Sequence, residues 1–310
     1  MYFFRREKVQ CRYQFSLRDA VDITLLQRAL TAALASAPYY TQRLVQEKRE
    51  MWLEPNTEPC LVYHGSTMRN IPEQTNGYLF CISCEGDTVY FDWHHFLLDG
   101  HGVSPLFTSI LEQYCNLRYG TAFAVQQIVC DPPYDMEAML AEYPPVEAGS
   151  DVIQRDVVQT YEGALRRTRV CLSKQSLVEK ALENNAKPVS ALMSLLCMAM
   201  REYLGKEKIQ YSYSSDTRDV AGVPHALYNC VCSFEHTVQL QAKTRLADLV
   251  SDIDADIKRD LQPQSKRRRM TEQMGWVYKV DQQKAPLRIK QRVFQMGEYI
   301  GGIISDFWLS

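Results

Sequence analysis

Residues 91–102 read Phe-Asp-Trp-His-His-Phe-Leu-Leu-Asp-Gly-His-Gly, and this stretch stands apart from the rest of the sequence. It follows an alternating apolar pattern typical of a strand and precedes an amphipathic pattern typical of a helix, which predicts a strand–helix junction. Imidazole titrates near neutral pH, so His94 or His95 could act as a general base. Asp99 could orient that base or pair with a cation that fixes the loop. Gly100 permits backbone angles or a close approach that a side chain forbids.

The polar residues of this junction allow two other interpretations. The first is an ordinary loop between a hairpin and a helix, with no chemistry of its own. The second is a zinc site, for which four side chains could in principle serve as ligands: His94, His95, Asp99 and His101. Adjacent histidines at the end of a strand tend to point to opposite faces, which disfavours joint ligation and with it a zinc hydrolase.

The ten cysteines are expected to be reduced thiols that pack as small apolar residues. Cys81 and Cys84 form a C-x-x-C, but they lie inside a predicted strand and have no second ligand pair at metal-binding spacing. Their odd spacing places them on opposite faces of that strand. We therefore expect no metal and no tightly bound cofactor.

The length and composition predict a globular protein of about two domains. Of the 310 residues, 46% are apolar and 23% are charged, as in ordinary globular chains. Lys plus Arg number 35 against 37 Asp plus Glu, and this net charge of −2 gives no electrostatic reason to bind nucleic acid or anionic lipid. No stretch approaches the ~20 apolar residues of a membrane span, and the N-terminal charges follow a very short apolar patch, the reverse of a signal peptide. The sequence thus predicts a cytoplasmic protein with small-molecule or protein partners.

Helical and strand patterns follow each other along the whole chain, which predicts a mixed α/β fold. In the first half, the predicted elements are a helix over 22–36 capped by Asp22, strands over 78–84 and 88–93, and a helix over 104–120 capped by Ser104 with Pro105 at its first position. In the second half, they are strands over 166–172, 209–214 and 230–240, helices over 173–184 and 189–204, and a helix capped by Thr244. The proline-rich stretch 131–156 predicts a boundary between a domain over 1–150 and a domain over 151–310.

The motif His94-His95-Phe96-Leu97-Leu98-Asp99-Gly100 matches the H-H-x-x-x-D-G pattern of the chloramphenicol acetyltransferase superfamily, which this chain resembles. That superfamily includes condensation domains of nonribosomal peptide synthetases, polyketide-associated acyltransferases and alcohol O-acetyltransferases, and the chain is most similar to a stand-alone member of the last kind. Weaker likenesses lie in segments 15–26 and 38–44. In segments 215–218 and 228–231, an arginine closes a strand and an asparagine-bearing strand follows.

The resemblance implies a fold of two α/β sandwich lobes with a tunnel between them. It implies an acyltransferase that moves an acyl group from a thioester, on coenzyme A or on a carrier-protein phosphopantetheine arm, to a hydroxyl or amine of a small molecule. The transfer is direct, with neither an acyl-enzyme nor a metal. The acyl thioester is then a co-substrate, and an acyl carrier protein is a possible partner.

The resemblance also implies roles for the site residues. His95 is the general base, and Asp99 is the partner of an arginine, for which Arg218 matches best and Arg43 less well. Gly100 lets the loop turn tightly into the helix and places its N–H near the reacting carbonyl. His94 is implied to be structural and His101 is expected to be an exposed loop residue.

Two further features bear on the resemblance to the superfamily and on the function that it implies. The chain ends at 301–310 in what resembles a strand just starting, which favours either a fragment of a longer protein or a shortened, divergent member. A catalytically silent binding or scaffold protein is therefore the alternative function. The basic run 266–269 could meet the phosphates of coenzyme A, an acidic carrier protein or RNA, but the expectation is a solvated loop or helix face.

Overall fold

A computed structural model describes residues 10–125, 127–144, 170–301 and 305–309, and it divides the chain into two compact units. The first unit comprises Met1–Tyr134, Ala221–Cys230 and Val277–Ile300, and the second comprises Asp135–Val220, Val231–Trp276 and Gly301–Ser310. Both units mix helices and strands. The predicted boundary at 131–156 and the predicted strand at 166–172 lie partly outside the described residues.

The first unit is built on a four-stranded sheet. Its strands are β1 (Gln10–Ser16), β4 (Val62–His64), β5 (Phe80–Glu85) and β6 (Thr88–His94), in the order β1-β6-β5-β4. The pairs β1–β6 and β5–β6 are antiparallel and β4–β5 is parallel. The β5–β6 hairpin confirms the two strands predicted from alternation. β5 begins two residues later and ends one residue later than predicted, and β6 ends one residue later, at His94.

Two helices cover the apolar face of this sheet. Helix α1 (Ile23–Ala35) begins at Asp22, whose carboxylate accepts hydrogen bonds from Thr24 N and Leu25 N, as predicted. Helix α2 (Gly100–Tyr119) closes at Gly120, whose φ of 65° is the left-handed conformation that glycine adopts most readily. The resulting core is almost solvent-free and contains these side chains among others: Leu26, Leu30, Ile82, Val89, Phe91, Trp93, Leu106, Phe107, Ile110 and Tyr114.

The predicted start of α2 at Ser104 is wrong. The helix begins four residues earlier, and Asp99 is its N-cap because its carboxylate accepts the N–H of Gly102 at 2.8 Å. Ser104 lies inside the helix, where its hydroxyl donates to the carbonyl of Gly100 at 2.8 Å. Pro105, expected at the first helical position, also lies inside α2. The motif therefore runs directly into the helix.

The remaining elements of the first unit lie at its periphery. A 3₁₀ turn over Pro38–Tyr40 leads into β2 (Gln42–Gln46), which pairs with β3 (Met51–Pro55). Helix α9 (Leu287–Gly301) packs Leu287 and Phe294 against Met51. Helix α9 ends at Gly301. The strand expected to start at that residue is β9, which is three residues long and covers Phe307–Leu309.

The second unit has a three-stranded sheet of order β8-β7-β9, formed by β7 (Lys208–Asp216), β8 (Val231–Gln239) and β9 (Phe307–Leu309). Its helices are α3 (Met136–Glu142), α4 (Lys174–Glu183), α5 (Pro188–Leu204), α6 (Arg218–Ala221), α7 (Leu246–Asp260) and α8 (Pro263–Asp281), the last of which extends into the first unit. The structure confirms the predicted α4, α5, β7 and β8. Thr244 does not cap α7, however: Arg245 is the N-cap residue, and the Thr244 hydroxyl accepts from Gln241 N at 2.8 Å.

The basic run 266–269 is not a solvated face, which corrects the expectation from the sequence. Lys266 is 6% exposed and its ammonium bonds Asp219. Arg267 donates to the carbonyl of Val220 and to the Tyr143 hydroxyl, and Arg269 bonds Glu235 at 2.9 Å. Only Arg268 of the four is exposed. The run therefore holds α8 within the second unit.

Among the described residues, no helix is both long and apolar enough to cross a bilayer.

Candidate functional site

The site lies where β6 ends and α2 begins, and the ring of His94 helps to shape this junction. His94 is the last residue of β6 and is 1% exposed. Its backbone N–H donates to the carbonyl of Leu79 at 2.9 Å, which keeps it in register with the neighbouring strand. Its Nδ1 accepts the N–H of Phe96 at 3.1 Å, and this hydrogen bond stabilises the turn by which the chain leaves β6. His95, the next residue, is half-buried.

Asp99 joins the junction to a distant segment of the chain. Its Oδ1 caps α2, and its Oδ2 accepts the backbone N–H of Cys230 at 2.9 Å. The side chain is almost fully buried. Asp99 therefore holds backbone groups of two segments that are far apart in the chain.

Gly102, rather than Gly100, is the glycine that this junction requires. A Cβ atom built on Gly102 would lie 1.8 Å from the carbonyl oxygen of Leu227, far inside van der Waals contact. A Cβ atom on Gly100 would meet only the Tyr13 hydroxyl, at 3.2 Å. Gly100 is the first residue of α2 and has no positive φ, so the tight turn expected of it is not seen. The glycine of the site permits close approach of segment 222–230.

In this arrangement the side chain of Asn229 contacts His95. The amide nitrogen of Asn229 lies 3.0 Å from His95 Nδ1 and 3.3 Å from the His95 carbonyl oxygen. The two residues are 134 positions apart in the chain. Asn229 is half-buried, and it carries no formal charge, so it orients the imidazole without adding a charge beside it.

Three further side chains hold carbonyl groups of the motif and of the first turn of α2. The Tyr39 hydroxyl donates to the Leu97 carbonyl at 3.0 Å, and the Trp93 indole N–H donates to the Leu98 carbonyl at 3.1 Å. The Tyr40 hydroxyl donates to Gly102 O at 2.7 Å. Burial raises the pKa of the Tyr39 phenol well above its ordinary value, so this group stays protonated and remains a donor.

The two arginines suggested as partners of Asp99 have other contacts in the structure. Arg43 bonds Glu54 across the β2–β3 pair, with its Nε at 2.9 Å and its Nη2 at 2.6 Å from Oε1. Arg218 is 3% exposed, and its backbone N–H and Nη1 both donate to Asp216 Oδ1, at 2.9 and 3.1 Å. The pairing of Asp99 with Arg218 stays a prediction.

The cysteine pair lies in β5, where Cys81 pairs with Asp92 and Cys84 with Val89. Cys84 belongs to the apolar core, whereas Cys81 lies on the opposite, more polar face of the sheet, as their odd spacing predicts. Burial raises the pKa of Cys81 to about 12 and also raises that of Cys84, so both are thiols at neutral pH. Within the described ranges, no three His, Cys, Asp or Glu side chains converge as metal ligands would.

Sequence reasoning identified the motif but not all of the residues that shape it. The family likeness includes Asn229 but implies no role for it. Gly102 lies two residues beyond the motif, and its need for a glycine comes from Leu227, far away in the chain. Neither contact has a signal in local sequence, because both depend on which distant segment meets the start of α2.

These features define a mixed α/β protein with the condensation-domain-like fold, which confirms the predicted fold class. Polyketide synthase associated protein 5 from Mycobacterium tuberculosis matches with a TM-score of 0.62 and 20% identity, over 84% of this chain and 71% of that one. The epimerization domain from the third module of tyrocidine synthetase B matches with a TM-score of 0.56 and 14% identity, over 84% and 69% of the two chains. The first condensation domain of the calcium-dependent antibiotic synthetase matches with a TM-score of 0.57 and 14% identity, over 83% of this chain and 70% of that one.

These likenesses are likenesses of fold, because all three sequence identities are low. No protein-family model matches the chain, and no curated protein matches it by sequence.

Proposed function

We propose that this protein transfers an acyl group from a thioester to a hydroxyl or amine of a small molecule, with His95 as the general base. The thioester is carried by coenzyme A or by the phosphopantetheine arm of a carrier protein. The observation that carries the proposal is the half-buried His95 ring, held by the neutral amide of Asn229 at a junction of the condensation-domain-like fold. A neutral partner leaves the imidazole able to gain and return a proton.

The chemistry needs one proton to move twice. Nδ1 contacts Asn229, so Nε2 takes the proton from the acceptor hydroxyl or amine, in the tautomer of the neutral ring that carries its own proton on Nδ1. The acceptor atom bonds to the thioester carbonyl carbon, and the carbon–sulfur bond breaks as the tetrahedral intermediate collapses. Nε2 then returns the proton to the leaving thiolate. General-base catalysis of this kind contributes roughly 10²–10⁴ in rate.

In this proposal Asp99 is a positioning residue. Both of its carboxylate oxygens accept backbone N–H groups, one from α2 and one from Cys230. It therefore keeps the segment that contains Asn229 against the start of the helix that follows His95. The close approach of Gly102 to Leu227 also keeps this segment against the start of α2.

A binding or scaffold protein without turnover is the second candidate. One observation favours it: the amide nitrogen of Asn229, a donor, faces His95 Nδ1. When Nδ1 accepts from that amide, the neutral ring carries its proton on Nε2, and turnover then needs the other tautomer, with the proton on Nδ1.

The test is to incubate the protein with a panel of acyl-coenzyme A and acyl-pantetheine thioesters and candidate alcohols or amines, and to follow the release of free thiol. We expect acceptor-dependent release that His95→Ala lowers at least a hundredfold. His101→Ala is the matched control, since His101 is an exposed histidine in the first turn of α2. A folded protein that releases no thiol above background with any pair of substrates would refute the proposal and support the scaffold function.

A further inference from the structure

The face of the first sheet that lies opposite α1 and α2 is polar. Side chains alternate between the two faces of a strand, so residues paired across neighbouring strands share a face. One row across this polar face contains Gln14, Tyr90, Ser83 and Tyr63, and the next row contains Arg12, Asp92 and Cys81. Neither row contains a residue to which the proposed function assigns a role.

Two arginines of this face stack on tyrosine rings, but only one of them has a carboxylate partner. The guanidinium carbon of Arg12 lies 4.6 Å from the centroid of the Tyr90 ring. That of Arg69 lies 4.1 Å from the centroid of the Tyr63 ring. Arg12 bonds Asp92 through two of its N–H groups, at 2.6 and 2.7 Å. Within the part of the chain that the structure describes, no carboxylate lies within ion-pair distance of Arg69, so the face carries one positive charge without a counterion.

The protein holds the Arg69 residue at both ends. Its backbone is bound to β1, where the Gln10 amide, in the orientation that satisfies both of its groups, donates to the Arg69 carbonyl at 3.1 Å and accepts the Ile71 N–H at 2.8 Å. Its guanidinium stacks on Tyr63 of β4, which is at the opposite edge of the sheet from β1. The Arg69 side chain therefore extends over the polar face between these two strands.

Between the two tyrosines lies a buried hydroxyl that lacks a partner. Ser83 is paired with Tyr90 on one side and with Tyr63 on the other. It is 1% exposed, and its hydroxyl makes no hydrogen bond with any residue that the structure describes. A buried polar group without a partner costs free energy, which a bound acceptor would recover.

The thiol of Cys81 shows that the charges of both arginines reach this part of the face. Cys81 lies two residues before Ser83 on β5 and faces the same way. Burial and the carboxylate of Asp92 raise the pKa of this thiol, whereas the guanidinium groups of Arg69 and Arg12 lower it. The positive potential of two arginines therefore acts where the unpartnered hydroxyl lies.

We propose that Arg69, Ser83 and Arg12 bind a tetrahedral oxyanion on this face, with a phosphate group as the ligand. A guanidinium presents paired N–H donors that match two oxygens of such an anion. Arg12 keeps two of its five N–H groups for it, because Asp92 and the Ser66 carbonyl take three. The Ser83 hydroxyl donates to a further oxygen and gains the acceptor that it lacks. Donors at three positions suit oxygens that do not share a plane, which favours a tetrahedral anion over a carboxylate. This site does not rest on the proposed function.

Isothermal titration of the full chain with sodium phosphate, at constant ionic strength with chloride as the other anion, tests the site. We expect one saturable site per chain in the unmodified protein. Arg69→Gln should weaken phosphate binding by roughly tenfold or more, because it removes the unpaired charge together with the paired donors. Arg28→Gln is the matched control, since it removes the same charge from an exposed position of α1 and should leave the affinity unchanged.

Ser83→Ala distinguishes a built site from a surface arginine. Its hydroxyl has no partner among the described residues, so the variant should keep its unfolding temperature in the absence of phosphate. It should bind phosphate roughly 2- to 10-fold more weakly, the usual effect of one hydrogen bond. Sodium acetate should bind the unmodified protein more weakly than phosphate does. Methyl phosphate distinguishes the two sources of the ligand: binding as tight as that of phosphate supports the site with a phosphoester as its ligand, and weaker binding supports it with the free anion.

Several results overturn the inference. Folded protein that shows no saturable phosphate binding does so, and so does an equal loss of affinity in Arg69→Gln and Arg28→Gln. Unchanged affinity in Ser83→Ala also overturns it, because a lone surface arginine would then explain the binding. Acetate that binds as tightly as phosphate overturns the assignment of a tetrahedral anion. If Arg69→Gln does not fold, Arg69→Lys replaces it, since it keeps the charge and loses the paired donors, and losses of affinity in both Arg69→Lys and Ser83→Ala are then required.

Discussion

Two histidines of this protein have opposite surroundings, one in each unit. His95 meets the neutral amide of Asn229 at Nδ1. His236, on β8, faces two carboxylates of α7, with Asp260 Oδ2 at 2.5 Å from Nε2 and Asp256 Oδ2 at 3.6 Å from Nδ1. Its ring also stacks on Tyr213, with ring centroids 6.1 Å apart and planes within 8°.

The difference shows how surroundings assign a histidine to chemistry or to structure. Nε2 of His236 bonds Asp260, and Asp256 lies within ion-pair distance of its Nδ1, so this ring joins the sheet to α7. The Tyr213 hydroxyl also donates to Asp260 Oδ2, at 2.6 Å. Burial alone raises the pKa of Asp260, but the hydrogen bonds from His236 and Tyr213 outweigh it and the pKa is lowered. At His95 the partner of Nδ1 is an uncharged amide, and in the proposed function Nε2 takes and returns the proton.

The largest expected effect comes from replacing each histidine by glutamine. His95→Gln should lower acyl transfer by roughly 10²–10⁴ with little change in the free energy of unfolding, because it removes a base from a half-buried loop. His236→Gln should do the reverse. It should lower the free energy of unfolding by about 1–3 kcal/mol, because it weakens the bonding of two carboxylates, and it should leave the rate per folded molecule unchanged. Thiol release and urea unfolding measure the two effects, and a stability loss in both variants would remove the contrast.

The next effect tests whether the His95 site depends on the approach of segment 222–230. Gly102→Ala places a methyl group 1.8 Å from the Leu227 carbonyl, and the obstructing atom is backbone. We expect a loss of about 3 kcal/mol in stability and a displaced Asn229, whereas the His236 site stays intact. Gly100→Ala, which meets only the tip of Tyr13, is the matched control and should cost less than about 1 kcal/mol. Equal unfolding midpoints for the two variants would contradict the assigned close approach.

What the sequence predicted correctly has local causes. The apolar stripe of α1 and its cap at Asp22 lie within one stretch of chain, and both were predicted from that stretch. The start of α2 was misplaced because Ser104-Pro105 resembles a helix start, whereas the cap is Asp99, whose second oxygen also holds Cys230. The local sequence does not show that the basic run is bonded, because the groups that bond Lys266 and Arg269 lie on other elements, at Asp219 and Glu235.

The same limit applies to the two histidines. The motif made His95 conspicuous, but its partner Asn229 lies 134 residues away and contributes no local pattern. His236 carried no signal at all, since its carboxylates become neighbours only when β8 packs on α7. Local sequence predicts the helices and strands, and long-range packing decides what each titratable side chain can do.

A smaller effect concerns the pH dependence of the His236 site. A carboxyl group whose pKa is lowered by folding stabilises the protein above its unfolded pKa, near 4, and this contribution is lost as the pH falls through the lower, folded value. We therefore expect Asp260→Asn to be less stable than the unmodified protein at pH 7, by a difference on the order of 1 kcal/mol that shrinks below about pH 4. Urea unfolding across that range measures it. Asp252→Asn, at an exposed position of α7, should show no such pH-dependent difference.

The smallest expected effect is that of removing metal ions, and it bears directly on the difference between the two histidines. A metal bound through His95 would occupy a ring nitrogen permanently, as Asp260 occupies Nε2 of His236. Acyl transfer through a neutral imidazole needs no Lewis acid, because the thioester carbonyl is already activated and the proton is both taken and returned by Nε2. We therefore expect chelator treatment to leave thiol release and the unfolding midpoint unchanged. We also expect elemental analysis of the purified protein to find no stoichiometric zinc or iron. One tightly held metal per chain that is lost in His95→Ala would contradict the base assignment and replace it with a metal-dependent mechanism. The same metal lost in His236→Ala but kept in His95→Ala would place it in the second unit and leave the acyltransferase proposal standing.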